Sequence, residues 1–448
     1  MQRVVITGLG PVSSIGIGKE RFWENAKEGK GCFQNTDFQD VEIEQYKSRV
    51  CSPINDFSPE EYLEYPKKLK RAGIGAQYAL LGAYLALRDA GFEVEPADLG
   101  NMKTRSGVPN FYRVNVPDPL RCGVILGQST INPDVLLPQH VKFIRDRGPK
   151  KLNPFTLPHS NINASATLVS EWYFLKGINL TVATACASSA HSIGMAALNI
   201  QNGMEDLVVT GGTDAPIDSY FFSGFDIINA ISCRNDDPMT ASRPWDKDRD
   251  GFVVGEGAGI LVLEELGHAE RRGARIYGEI TGFGFTADAY NIVAPDPYAT
   301  AGIEAVKKAL AMGKVSKEEI EYINAHGTST VLNDPNESYI MKQVFGERAY
   351  RIPISSSKSY FGHTLGAAGG LETIVTMLTM QHGVITPTAN LFHPDLEYTE
   401  TAAPQLDKRC DLDFVPKKSR KKDVGLALKT SFGFGGQNGA LVLKRYTP

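Results

Sequence analysis

Paired cysteines are missing from this chain. Cys32, Cys51, Cys122, Cys186, Cys233 and Cys410 are scattered through 448 residues without a CxxC or a repeated spacing. That pattern argues against a disulfide framework and a thiolate zinc site, and for a reducing compartment. No apolar run approaches the ~18 residues that a membrane span requires. The opening MQRVVITGLG reads as a strand and a turn, not as a secretory leader. A cytoplasmic protein with no membrane partner is expected. An excess of one charge is lacking too: 47 Lys+Arg against 51 Asp+Glu leave a net charge of −4. With no aromatic-and-basic stripe, a nucleic-acid partner is not expected. Basic residues gather at Lys67, Lys68, Lys70 and Arg71, at Arg145, Arg147, Lys150 and Lys151, and from Lys417 to Lys422. By composition alone such runs are solvated surface.

The chain does have enough apolar residues, 42%, for a large core. Strand-like runs (RVVITG, CGVILG, DLVVTGG, GAGILVLEEL, IEYINAHG, IPISSS) alternate with helix-like ones (KERFWENAKEG, AGIEAVKKALAMG), which predicts an α/β layer architecture. A charged helix end at 264–276 divides the chain into 1–270 and 271–448. Both parts open on a similar phrase, VVITGLG (4–10) and GEITGFG (278–284), a hint of internal duplication. Segments 92–120 and 393–411, rich in Pro, Asp and Asn, are expected to be surface excursions.

Two familiar motifs fail. ITGLGPVSSIG has Ser13 where a dinucleotide fingerprint needs its third Gly. DKDRDGFVVGEG (246–257) has Gly257 where a calcium loop needs its bidentate carboxylate, and a strand-like run follows in place of a helix. No metal and no cofactor are expected.

The chemistry concentrates around three residues. Cys186, in TVATACASSAHSIGMAALNI (181–200), falls between a strand-like INLTVATA, expected to be buried, and a helix-like run ending at Gly203. At such a corner free backbone N–H groups and the helix dipole favour a thiolate, and small neighbours leave room for an incoming group. His326, in YINAHGTST, and His363, in SSSKSYFGHTLGAAGG, each follow a strand and are flanked by Gly and hydroxylated residues. The other cysteines and histidines lack such settings and read as structural. One cysteine and one histidine would suit a hydrolase. Two similarly presented histidines suit donation of hydrogen bonds to an oxygen that becomes negative, such as an enolate.

The blocks TACASSAHSIG, SRPWDKDRDGFVVGEGAG, NAHGTST, SSSKSYFGHTLGAAGG and SFGFGGQNG, in this order, resemble those of β-ketoacyl-acyl carrier protein synthases of the KAS II type, in the thiolase-like superfamily. The resemblance runs nearly end to end. It implies a five-layered αβαβα fold of two related halves, usually a homodimer, with a heterodimer as the variant. It implies that Cys186 carries the acyl chain, that His326 and His363 bind the malonyl thioester, and that Lys358 is a structural lysine paired with Glu372. It makes Glu337 a second buried acid, and the N–H groups of Cys186 and Phe434 an oxyanion hole. Phe434 would gate the entrance, Phe432 would bind substrate, Thr328 and Thr330 would contact pantetheine, and Ile131 and Phe225 would line the acyl pocket. The implied partner is an acidic, phosphopantetheinylated acyl carrier protein, docked by Lys67, Lys68, Lys70, Arg71, Lys150 and Lys151.

Some positions depart from the family pattern. Segments 92–120 and 393–411 are long, INPDVLLPQH (131–140) replaces a Gly-rich stretch, and Asn291 and Val293 stand where His and Thr are common. These departures keep a specialised polyketide-type ketosynthase open as the alternative. A non-catalytic chain-length partner generally lacks the cysteine, and a thiolase generally has a second cysteine near the chain end, which SFGFGGQNG does not supply.

Overall fold

Strand Val4–Ser13 (β1) is buried at all ten positions, and its sequence, VVITGLGPVS, explains how. Gly8 and Gly10 lie under helix Ile74–Asp89 (α1): a Cβ on either would stand 2.0 Å from the Ala86 carbonyl or 1.9 Å from that of Gly82. The second phrase, in strand Gly278–Ala287 (β6), repeats the arrangement under helix Thr300–Gly313 (α4). There a Cβ on Gly282 or Gly284 would stand 2.2 Å from the Ala309 carbonyl or 2.1 Å from that of Ala305. Each strand is also bulged at the same place, between Ile6 and Gly8 and between Ile280 and Gly282. The repeated phrase therefore encodes a helix laid directly on a strand.

The computed structural model describes residues 1–63, 69–96 and 112–447, with the side chains of Lys70 and Pro96 left aside. After β1 and α1 come strand Cys122–Gly127 (β2), helix Ala164–Tyr173 (α2), strand Asn179–Val182 (β3), helix Ser188–Gln201 (α3), strand Leu207–Asp214 (β4) and strand Gly257–Glu265 (β5). After β6 and α4 come strand Tyr322–Asn324 (β7), helix Asn333–Phe345 (α5), strand Ile354–Ser355 (β8), helix Ala368–His382 (α6), strand Leu426–Gly433 (β9) and strand Gln437–Arg445 (β10). The path across the sheet is β8-β7-β9-β10-β6-β1-β5-β4-β2-β3. Read from its centre outward, each half has the same order and the same senses. β4, β2 and β3 are mutually parallel, as are β9, β7 and β8, while β5 and β10 run against their neighbours. The halves meet where Val5 pairs with Glu279 and Ile6 with Gly278.

Three cores mark the helical layers. One packs α1 and α2 outside the first half, and another packs α4 and α5 outside the second. Between them α3 and α6 share a central core with both halves of the sheet. These are the five layers of a thiolase-like αβαβα fold. Helix α6 is buried from Ala368 to Met380, as a helix enclosed on all sides must be. Gly259 and Gly370 let its backbone touch β5, since a Cβ on Gly370 would stand 2.1 Å from the Gly259 carbonyl.

Two expectations need correction. INLTVATA does not form a buried strand: β3 spans four residues, half-buried or exposed, because it lies at the sheet edge with β2 as its one neighbour among the described residues. Segment 92–120 is not wholly a surface excursion. Val94, Tyr112, Val114 and Val116 are buried in the first outer core, and residues 97–111 lie outside the described ones.

Candidate active site

Cys186, His326, His363 and Phe434 each follow the end of a strand, where backbone groups leave the ladder. Ala185 takes a left-handed φ of 48° just before Cys186, a conformation that costs energy for a residue with a Cβ. The turn is held by Ala187 N–H donating to the Thr184 carbonyl (3.1 Å) and Ser188 N–H to that of Ala185 (3.0 Å). Gly433, at the end of β9, lies over this turn. A Cβ there would meet the nitrogens of Cys186 and Ala187 at 3.1 and 3.2 Å, so only glycine leaves that approach open. The Phe434 N–H and the N–H of Cys186 itself both point at the sulfur.

The thiol is not the free thiolate that a helix-start corner suggests. Burial pushes its pKa up to about 11, against the opposing pull of Lys358 and the two N–H groups. The sulfur is enclosed, and the Lys358 charge and the two N–H groups do not offset the cost of burying an anion.

His326 and His363 meet edge to face, their ring centroids 5.3 Å apart. Each Nδ1 is already occupied. The Lys358 ammonium donates to Nδ1 of His326 (3.2 Å) and to its carbonyl (2.7 Å), and the Leu365 N–H donates to Nδ1 of His363 (3.2 Å). A ring nitrogen that accepts carries no proton, so in the neutral ring the hydrogen sits on Nε2. Burial, followed by the positive charge of Lys358, drives both imidazoles well below the usual histidine range. The site therefore presents two uncharged Nε2–H donors. Phe252 packs edge-on against His363 at 5.1 Å, and Phe432 against His326 at 6.0 Å.

Two acids on α5, Asp334 and Glu337, shape the His326 loop. Glu337 accepts the N–H groups of His326 and Gly327, both at 2.8 Å, and the Thr430 hydroxyl at 2.7 Å. Asp334 accepts those of Thr328 and Ser329, both at 3.0 Å, and of Trp245 at 2.9 Å. Burial lifts the Glu337 pKa to about 6. Lys358 pairs with Glu372 behind the histidines, as the resemblance implies.

Sequence reasoning missed three contributors. Asp334 carried a signal, since an acid in the first turn of a helix is placed to meet N–H groups. Asp214, at the end of β4, binds Ser129, Thr130 and Gly366, joining loops from both halves. The segment that imitates a calcium loop is a clamp: Arg249 donates to the carbonyls of Thr330 (3.0 Å) and Val331 (3.1 Å) and pairs with Asp395.

A cavity of about 380 Å³ takes in Cys186, His326, His363, Phe432 and Phe434. Thr328, Thr330, Glu337 and Phe225 also face it, as do Asn291 and Val293. Lys358 and Glu372 stand behind its wall, and half-buried Ile131 is not among its lining residues. INPDVLLPQH forms the start of helix Pro133–Arg145. Arg71, Lys150 and Lys151 are exposed, whereas Lys67 and Lys68 lie outside the described residues, as does the side chain of Lys70.

An αβαβα fold of two related halves, with a cysteine and two histidines on one cavity, defines a thiolase-like ketosynthase. The chain belongs to the β-ketoacyl synthase family: "Beta-ketoacyl synthase, N-terminal domain" matches residues 1–269, and "Beta-ketoacyl synthase, C-terminal domain" matches 277–392. It is 39% identical to a 3-oxoacyl-[acyl-carrier-protein] synthase 2 of Coxiella burnetii over 99% of both chains. Its identity to one of Rhizobium meliloti is 38% over all of both chains. Among solved structures, a β-ketoacyl synthase from Burkholderia phymatum superposes with a TM-score of 0.85 at 32% identity, covering 100% of both chains. A type II polyketide ketosynthase in complex with its acyl-carrier protein gives 0.84 at 29%, covering 99% of this chain and 100% of that one.

Proposed function

We propose that the chain is a 3-oxoacyl-[acyl-carrier-protein] synthase that extends an acyl chain by two carbons through decarboxylative Claisen condensation. One observation carries this reading: Cys186 and two Nε2–H donors open on one cavity. The sulfur attacks the acyl thioester of a carrier protein, its proton passing to the departing pantetheine sulfur. The N–H groups of Cys186 and Phe434 hold the tetrahedral oxyanion. Malonyl thioester then enters, guided by Thr328 and Thr330, with its carbonyl oxygen between His326 and His363. Carbon dioxide leaves, and the electrons of the broken bond form an enolate that the Nε2–H groups stabilise. The enolate carbon attacks the acyl group on Cys186, expelling the thiolate and leaving a 3-oxoacyl chain on the carrier. Lys358 and Glu372 position His326, Glu337 positions its loop, Phe434 gates entry, and Phe225 lines the acyl end with Phe432 near the histidines.

Burial supports this division of labour. A thiol with a pKa of about 11 resists stray alkylation, and becomes nucleophilic when a thioester docks against its N–H groups. The partner is an acidic acyl carrier protein, met by exposed Arg71, Lys150 and Lys151. We take 1–270 and 271–448 as the two halves and the cytoplasm as the location. The unpaired edge of β3, with exposed Leu180, supports a homodimer, which sedimentation would reveal as twice the monomer mass. The curated relatives at 37–39% identity favour fatty-acid over polyketide substrates. Intact-protein mass spectrometry with a panel of acyl-carrier proteins tests the proposal: acyl groups retained on Cys186, then 3-oxoacyl product on adding malonyl-carrier protein, are expected. Free acid as the only product would overturn it, and polyketide-type intermediates would move the reading to the alternative.

A further inference from the structure

Behind the histidines stands a second lysine that the chemistry just described does not use. Lys429, on β9, is wholly buried, as are Lys358 and Glu372. Its ammonium lies 2.7 Å from Oε2 of Glu372, while Lys358 pairs with Oε1 of the same carboxylate. It also donates to the Thr430 carbonyl at 2.8 Å and to the Ser431 hydroxyl. Two buried cations thus share one acid, an arrangement that is costly unless geometry and charge are both used.

We propose, building on the condensing reading, that Lys429 is a positioning residue: by anchoring the far oxygen of Glu372 it aims Lys358 at Nδ1 of His326, and it sets a second fixed positive charge behind the histidine pair. The first half is geometric. With only one ammonium attached, the Glu372 carboxylate is free to rotate about its last bond, and Lys358 follows it away from the imidazole.

The second half is electrostatic. If either imidazole gains a proton at Nδ1, that hydrogen faces the ammonium of Lys358 or the N–H of Leu365, and the ring must turn out of place. Lys429 acts against this protonation, since its charge bears on His326 and His363 alike. The groups around it come from several elements. Glu372 on α6 holds it cationic, Lys358 repels it, Glu337 on α5 attracts it from farther off, and His191 on α3 feels its charge. Burial pulls the lysine's own pKa below its ordinary value, opposed by Glu372.

The test measures carbon dioxide release from malonyl-carrier protein against pH for wild type, K429M, K429Q and K429R, with thermal unfolding as a check on folding. In K429M and K429Q the acid limb should rise by about one pH unit, the size of a nearby charge effect. On the acid side of the limb, below pH 5, that is a loss of up to about tenfold, with almost none at pH 8. K429R, which keeps the charge, should return the limb toward wild type. A folded K429M whose limb does not move overturns the proposal, as does a loss equal at all pH values. If neither neutral variant folds, ring-nitrogen NMR of the wild-type histidines decides: both sites still neutral at pH 5 supports the proposal, and either titrating near 6.5 overturns it. Failure of the condensing reading looks different, for then wild type itself releases no carbon dioxide while the NMR result stands.

Discussion

Cys186 and His363 occupy the same corner of the two halves. Each follows the third strand of its half, β3 or β8, and precedes the buried central helix, α3 or α6. Duplication thus supplied two equivalent turns facing one cavity, and the residue at each corner sets what it does. The corner roles are separable. Cys186→Ala should abolish condensation while leaving the fold intact, because the side chain is small and the turn is held by backbone bonds. His326→Ala and His363→Ala should each lower decarboxylation by about 10²–10³, the usual loss for one oxyanion donor. Acyl loading of Cys186, followed by intact mass, should survive both. Decarboxylation at full rate in either variant would contradict the assigned roles.

Thiol titration gives a second prediction. With a pKa of about 11, Cys186 holds little thiolate at neutral pH. Its alkylation by iodoacetamide should climb about tenfold per pH unit between pH 7 and 9 without levelling off. A plateau near pH 7 would mean a paired thiolate instead.

Glu337 makes stability depend on pH. Its folded pKa is raised from 4.5 to about 6, so its contribution is full below 4.5 and fades as pH rises through 6. The lost amount is about 2 kcal/mol. Glu337→Gln removes that dependence but leaves one backbone N–H of the His326 loop facing an amide. The stability gap between wild type and this variant, measured by urea denaturation, should therefore be wider at pH 4.5 than at pH 8.

Asp214 ties loops of both halves through five hydrogen bonds, from the N–H and hydroxyl of Ser129, those of Thr130, and the Gly366 N–H. Leaving buried donors unmet costs about 1–3 kcal/mol each. Asp214→Ala should lose at least about 3 kcal/mol in denaturant titrations. It should also slow the reaction by loosening Gly366, three residues from His363.

Charge reversal on the exposed basic patch should act on association alone. K150E/K151E is expected to raise KM for acyl-carrier protein and to weaken its salt dependence, with kcat little changed. A small pantetheine thioester as substrate should not register the change. Equal effects on both substrates would place the docking surface elsewhere.

Much of the architecture was legible along the chain because the physics involved is local. Alternating apolar runs announce strands and helices. The phrase ITGxG marks where a strand needs glycines to lie under a helix, and small residues around Cys186 mark a turn that something must approach. Even the tautomer of His363 is settled by an N–H two residues away. Other features depend on segments far apart in sequence meeting in space. Burial sets the reluctance of Cys186 to ionise, and the edge position of β3 is a property of the whole sheet. Lys429 is 57 residues beyond Glu372, and nothing around it announces that it joins Lys358 on that carboxylate. A sequence can specify which groups exist and how each turn bends. The dielectric around those groups, and the charges that face one another across it, come into being only when the layers close.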